Sequence, residues 1–182
     1  MKRRQILQAF LTAPALHVGV AASDTRLPKS TRDVEGPFYP VQEIPITPSL
    51  YEASDYAGDP LAFSGRVLFE DGKPASDALI EIWQCDANRT YNHPADNGRR
   101  DESFRGFAAQ RCDNQGAFAF NTIVPVAYGG RPPHIHVKLW RENTEVLTTQ
   151  VYLQGHRGAD TRKIKPVKTA EMLYEAAFTF VV

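Results

Sequence analysis

The chain has 182 residues, 42% apolar and 23% charged, with 13 prolines and 12 glycines. That composition excludes collagen-like, coiled-coil, disordered and membrane-bundle chains and leaves one soluble globular domain with an N-terminal appendage. Lysine and arginine (21) balance aspartate and glutamate (21), so no net field gathers nucleic acid or anionic lipid around it.

The first 22 residues read as an export signal. Met1-Lys2-Arg3-Arg4 is positive, Ile6 to Ala22 carries no ionisable residue except His17, and Val20-Ala21-Ala22 before Ser23 is a small-residue cleavage pattern. Arg3-Arg4 followed by Gln5, Ile6 and Leu7 resembles a twin-arginine signal, the route of proteins that fold around a cofactor before export. Gln8, Thr12, Pro14 and His17 dilute the apolar run, which also fits a frayed tail or a short amphipathic helix. Spanning a bilayer takes ~20 predominantly apolar residues, so no stable membrane insertion is expected. A working signal implies a periplasmic or secreted protein; without one the chain stays cytoplasmic.

From Thr25 to Pro60 come Pro28, Pro37, Pro40, Pro45, Pro48 and Pro60. Lacking an N–H, these prolines disfavour helix and central strand, so residues 23–60 are expected as an extended wrapping segment. Residues 61–182 then hold the folded domain. Its runs with strand chemistry are Leu61 to Phe69, Ala78 to Gln84, Ala117 to Ile123, His134 to Trp140, Val146 to Leu153 and Ala176 to Val182. Most alternate with period two, as Ile80-Glu81-Ile82-Trp83 and Phe118-Ala119-Phe120 do. Asp71-Gly72-Lys73-Pro74 and Asp113-Asn114-Gln115-Gly116 supply turns between them. A long irregular loop is expected over Asp86 to Gln110, its length suggesting function, and a short helix around Thr169 to Tyr174. The fold class is all-β, a sandwich of two sheets with long irregular active-site loops. Cys85 and Cys112 form no C-x-x-C pair and support one disulfide at most.

The sharpest chemical feature is Arg131-Pro132-Pro133-His134-Ile135-His136-Val137. On a strand, residues i and i+2 share a face, so the imidazoles of His134 and His136 can converge on one metal ion while Ile135 turns away. Two polar residues on the solvated face of an edge strand would give the same spacing. Two of the five histidines fall here, and no third histidine or cysteine is well placed. Tyr128 in Ala127-Tyr128-Gly129-Gly130 and Tyr91 in Arg89-Thr90-Tyr91-Asn92-His93 are candidate phenolate ligands, a donor found in a few iron sites. A loop tyrosine or histidine, His93 included, more often packs on the surface. His156 carries no chemical signal.

These motifs resemble the intradiol ring-cleaving catechol dioxygenases, in particular the protocatechuate dioxygenase β-subunit type. The resemblance rests on Glu35-Gly36-Pro37-Phe38-Tyr39-Pro40, the run Ala78 to Asp86, Tyr91 with His93, Phe104-Arg105-Gly106, Thr122-Ile123-Val124-Pro125 leading to Tyr128, the H-x-H segment, and Gln150-Val151-Tyr152, in the family's order. It implies a β-sandwich holding one mononuclear non-haem Fe(III), with Tyr91, Tyr128, His134 and His136 as ligands. Two phenolates and a hydroxide would offset the trivalent charge. By the same resemblance Tyr128 is the ligand that leaves when substrate binds, Arg131 stabilises negative charge developing on the ring, and Gln150 hydrogen-bonds near the oxygen chemistry. The implied substrates are a catechol-type aromatic diol and O2, and the product a cis,cis-muconate-type diacid. Relatives often assemble, so a homo-oligomer is compatible with the chain. Only Gly129 and Gly130 separate Tyr128 from Arg131, a stretch considerably longer in the family, so specificity for a carboxylated ring does not carry over and a more open pocket is expected. Two other readings compete: a non-catalytic transthyretin-like sandwich that binds without turnover, and a zinc or copper site on His134 and His136.

Overall fold

The structure is a computed structural model that describes residues 26–155, 162–170 and 173–182. The expected export signal and His156 lie outside them. Nine strands form two sheets: β1 (Pro60–Leu68), β2 (Leu79–Trp83), β3 (Phe107–Arg111), β4 (Ala117–Ile123), β5 (His134–Arg141), β6 (Thr144–Leu153), β7 (Lys163–Ile164), β8 (Val167–Lys168) and β9 (Tyr174–Val181). One sheet runs β4-β1-β9-β8 and the other β3-β2-β5-β6-β7. All pairs are antiparallel except β1 with β9 and β6 with β7.

Period-two alternation decides what each sheet buries. Leu61, Phe63, Val67, Phe118, Phe120 and Phe180 of the first sheet meet Ile80, Ile82, Ile135, Val137, Leu139 and Val151 of the second in one apolar cluster. Burying each such side chain is worth ~1.5–3 kcal/mol, enough in sum to drive the two faces together. Gly65 on β1 sits between Phe118 and Phe178 of the flanking strands. A Cβ there would collide with the Phe178 carbonyl oxygen, so the tight β1–β9 approach requires glycine.

The sandwich expected from the sequence is present, with local differences. The loop after β2 ends at Gly106 rather than Gln110, because Phe107–Arg111 pairs with β2 from Leu79↔Arg111 to Trp83↔Phe107. No helix occurs among the described residues. Of the stretch 169–174, where one was expected, residues 171 and 172 lie outside the described residues; Thr169 donates its N–H to Leu173 O (2.8 Å) and Tyr174 already opens β9, which pairs antiparallel with β8.

The Pro-rich segment closes the sandwich edges. Pro45 O accepts the Ala109 N–H (2.9 Å) and Pro48 O the Asn121 N–H (2.7 Å), so these prolines contribute acceptors to edge strands β3 and β4 where a missing donor costs nothing. Upstream, residues 31–46 cross the outer face of the five-stranded sheet. That cover is why β5, whose two faces would otherwise differ, is buried from His134 through Leu139.

Candidate metal centre

The covered outer face carries a second, smaller apolar cluster of Trp83, Cys85, Tyr91 and Phe107, with Phe38, Tyr39, Ile44, Val126 and Tyr128 packed against it. His134 and His136 project into this cluster from β5. Cross-strand pairing sets their neighbours: His136 lies between Trp83 of β2 and Gln150 of β6, and His134 opposite Tyr152.

Tyr91 arrives on the loop 86–106, which two aspartates hold in shape. Asp86 is buried, and its carboxylate accepts N–H groups of Thr90 (2.9 Å) and Asp101 (2.6 Å), joining both ends of the loop. Burial raises the Asp86 carboxyl above its ordinary range, against the lowering effect of those N–H groups. Asp96 accepts the backbone N–H of Tyr91 itself (2.9 Å) and that of Gly98 (3.0 Å). The Tyr91 ring is then stacked on Phe38, with centroids 4.8 Å and planes 16° apart.

Three polar atoms meet as a result. Tyr91 Oη lies 3.3 Å from His134 Nε2 and 3.1 Å from His136 Nε2, and the two Nε2 atoms are 3.1 Å apart. A triangle of this size has its centre about 1.8 Å from each corner, just short of the ~2.0–2.1 Å of a metal–imidazole bond. Tyr91, His134 and His136 would therefore be able to hold one metal ion between them. His134 Nδ1 is 2.6 Å from Pro132 O; donating its proton there leaves Nε2 with a free lone pair, the tautomer a metal ligand needs.

The electrostatics agree with that fit. Burial lowers the pKa of His134, and lowers that of His136 well below the usual imidazole range with help from His134 and Arg131, so both rings are neutral at pH 7. Burial also raises the Tyr91 phenol, so it keeps its proton unless a cation displaces it. Among the described residues no three His, Cys, Asp or Glu side chains group as a metal site. Two imidazoles with a phenolic oxygen are an all-nitrogen-and-oxygen donor set, harder than the thiolate-containing sets of structural zinc.

Tyr128 lies beside the triangle rather than in it. Its ring is 5.0 Å from that of Tyr91 and 5.4 Å from that of Phe38, both edge-on. Its hydroxyl forms no hydrogen bond with the three donors, and burial and the neighbouring Asp96 carboxylate raise its pKa. The residue leads a two-residue turn in which Gly129 (φ +53°) and Gly130 (φ +78°) both take positive φ, closed by Arg131 N–H to Tyr128 O at 2.7 Å. Tyr91, Tyr128, His134, His136 and Arg131 line one cavity of about 160 Å³ with Gly36, Pro37, Phe38 and Gly129.

Arg131 donates from Nη2 to Gln150 Oε1 (2.7 Å) and to Tyr152 Oη (3.0 Å). Gln150 is fully buried and does not line the cavity; its Nε2 donates to Val34 O (2.7 Å), so both its polar atoms have partners beneath Arg131. His93 is outside the triangle, its Nδ1 accepting the Ala95 N–H (3.1 Å) and its ring edge-on to Phe38.

Residues that motif spacing did not single out complete the surroundings. Trp83 stacks on His136. Tyr39 donates to Glu81 (2.8 Å) and lies 3.7 Å below the Lys138 ammonium, which is ion-paired with Glu35. These contacts clamp the covering segment around Gly36, whose φ of +77° would strain any residue with a side chain, while an ideal Cβ there would only touch His136 Cε1, at 3.4 Å. The period-two pattern of β5 does point to Lys138, two residues beyond His136.

Comparison with known proteins gives consistent matches. A family model described as Dioxygenase matches residues 34–173. The chain is 33% identical over 144 residues to the protocatechuate 3,4-dioxygenase beta chain of Burkholderia cepacia, covering 71% of this chain and 61% of that one. It is 32% identical over 149 residues to catechol 1,2-dioxygenase 2 of Acinetobacter lwoffii, covering 68% and 51%. The chain thus spans between about half and three-fifths of these curated relatives. Among solved structures, the dioxygenase domain of a dioxygenase carbohydrate-binding protein fusion from Streptomyces sp. SirexAA-E superposes with TM-score 0.73 at 30% identity, over 85% of this chain and 98% of that domain. The 3-chlorocatechol 1,2-dioxygenase of Rhodococcus opacus 1CP shares the fold, with TM-score 0.68 at 23% identity over 87% and 73% of the two chains.

Proposed function

The chain belongs to the intradiol ring-cleaving dioxygenases, and we propose that it is a mononuclear, non-haem Fe(III) enzyme that inserts both atoms of O2 into a catechol-type diol, giving a cis,cis-muconate-type diacid. The observation that carries this reading is the buried triangle of Tyr91 Oη, His134 Nε2 and His136 Nε2, with the Tyr128 phenol on the same cavity. Tyr91, His134 and His136 would hold the metal, with Tyr128 as a fourth, detachable ligand. When bound, ferric iron supplies the Lewis acidity that draws both protons from a catechol and makes its ring electron-rich enough to react with O2.

The protein's own groups then have definite tasks. The raised pKa of Tyr128 favours its protonated form once it is off the metal, so its Oη can accept and hold a proton released by the substrate. Phe38, stacked on Tyr91, closes the cavity against water on that side. Arg131 has neutral direct partners in Gln150 and Tyr152, so its charge stays available to stabilise negative charge on the ring.

Substrate scope follows from the mouth. An ideal Cβ on Gly129 or Gly130 would have nothing within 4 Å, so a ring substituent directed there meets no wall. Of the residues lining the cavity only Arg131 is cationic, so no second cation there is set aside for a ring carboxylate. The reading is therefore a catechol dioxygenase without a dedicated carboxylate subsite.

The test is a visible spectrum of the protein reconstituted with ferric iron, before and after anaerobic catechol. A phenolate-to-iron charge-transfer band that shifts on catechol addition, followed by muconate-type products in air, is the expected result. A colourless iron-treated protein would support the non-catalytic sandwich and remove the proposal, and semialdehyde products would exclude intradiol cleavage.

A further inference from the structure

Arg131 is held by a hydrogen-bonded chain that reaches the N-terminal segment, 98 residues earlier in sequence at Asp33. Tyr152 is its hub: the hydroxyl is 3.0 Å from Arg131 Nη2, 2.8 Å from Asp33 Oδ2 and 3.0 Å from Gln150 Oε1. A phenol has one proton to give. Against a neutral amide, the carboxylate is the stronger acceptor, so the proton goes to Asp33 and the oxygen lone pairs are left for Arg131. Gln150 Oε1 then receives the arginine, and its Nε2 is turned to Val34 O (2.7 Å), which settles the orientation of the amide.

The charges are arranged to the same end. Among the described residues Asp33 is the anion that Tyr152 contacts, and it is ion-paired with Arg162 at 2.6 Å in a setting where both side chains are at least four-fifths buried. Its negative charge is thereby offset on the far side of Tyr152. Arg131 is oriented through a neutral phenol rather than neutralised by a carboxylate. An aspartate bonded directly to Arg131 would have fixed it equally well but removed most of the field it directs at the cavity.

We propose that Tyr152 is a positioning residue for Arg131, holding the guanidinium over the cavity by passing on the pull of Asp33 while keeping that carboxylate's charge away from the substrate. This rests on the dioxygenase reading above. The Tyr152 hydroxyl bonds to no metal-donor atom and Tyr152 does not line the cavity; its ring lies 5.8 Å from that of His134, a contact that Tyr152→Phe leaves in place, so that variant isolates what the hydroxyl does for Arg131.

The experiment compares wild type, Tyr152→Phe, Asp33→Asn, Arg131→Lys and the Arg131→Lys/Tyr152→Phe double variant, each reconstituted with ferric iron. Tyr152→Phe keeps the ring and removes one oxygen. The expected result is a fall of about tenfold in kcat with KM changed less than about twofold, the pattern of an interaction made in the transition state only. Asp33→Asn should fall in the same direction, and keeps the test decisive if Tyr152→Phe folds poorly. The double variant should be no slower than Arg131→Lys. Independently of turnover, the metal-free protein should show slowly exchanging Arg131 Nη protons by NMR that become fast in Tyr152→Phe. Wild-type kcat with unchanged Arg131 exchange in Tyr152→Phe overturns the proposal. So does a further loss in the double variant, which would mean that Tyr152 acts on something other than Arg131. Either outcome in a coloured, active wild type leaves the dioxygenase reading standing, whereas a colourless wild type removes that reading and leaves the NMR comparison as the test of the contact.

Discussion

Trp83 lies face to face with His136, ring centroids 4.8 Å apart and planes within 10° of parallel. The two residues are direct cross-strand partners on β2 and β5, so sheet register alone brings the indole over the imidazole. His136 Nδ1 is buried without a hydrogen-bond partner among the described residues, unlike His134 Nδ1, which has Pro132 O. Stacking therefore orients the His136 ring, where a hydrogen bond orients that of His134.

That asymmetry predicts the response to substitution at Trp83. Trp83→Leu removes the flat surface and should weaken iron retention by about tenfold, within the ~10–100-fold range for residues that orient metal ligands. Trp83→Phe retains a ring and should keep most of the affinity. Chelator competition against each iron-loaded variant measures it; equal retention in both would show that the stack does not orient His136.

The two tyrosines should behave differently. Tyr91 Oη is a corner of the donor triangle, whereas the hydroxyl of Tyr128 bonds to none of its members. Tyr91→Phe should lose most bound iron together with the visible band. Tyr128→Phe should retain near-stoichiometric iron with an altered band and a lower kcat. Metal analysis and absorbance on the same samples decide it, and equal iron loss in both variants would place Tyr128 on the same footing as Tyr91.

Much of this centre was legible in the chain, for physical reasons that also mark the limit. The H-x-H pair was readable because the period of a strand is two and Pro132-Pro133 forces the extended chain that begins it. Strand β3 was not, because Phe107-Ala108-Ala109 is buried without alternation, its outer face being covered as well. Strands β7 and β8, two residues each, are too short to show a period. Asp33 and Tyr152 meet across 119 residues only because the N-terminal segment is laid over β6, and the partner of Gln150 Nε2, Val34 O, comes from that same segment. The stacking role of Trp83 was equally hidden, since the same residue fits an ordinary apolar stripe until the β2–β5 register is known.

The cysteines give a prediction about redox chemistry. Cys85 and Cys112 are both free and buried, and they belong to different apolar clusters. Burial pushes the Cys85 thiol up to about 12 and the Cys112 thiol up to about 11. Almost no thiolate is present at pH 8, so a disulfide-exchange reagent should react slowly with the native protein and titrate two thiols once it is unfolded. Finding no thiol after unfolding would mean that the pair oxidises, at the expense of the packing around both.

Asp33 supplies the acid limit of the fold's site-facing side. Burial opposes its ionisation, but hydrogen bonds from Tyr152, the Val34 N–H and Arg162, with the Arg162 charge, outweigh it and lower its pKa below the ordinary 3.8. A carboxyl with a depressed folded-state pKa contributes stability that is fully present above the unfolded value and is lost as pH falls through the folded one. The contribution of Asp33 should therefore be intact at pH 5 and disappear progressively below about 3.8, as the protonated acid releases Arg162 and Tyr152. Urea midpoints of the metal-free protein at pH 5 and at successive steps below 4 measure this, with Asp33→Asn as the comparison. The variant should be less stable at pH 5 and lose less on acidification, so that the two curves converge at low pH. Parallel curves would mean that the ion pair with Arg162 and the bond from Tyr152 do not depend on the Asp33 charge.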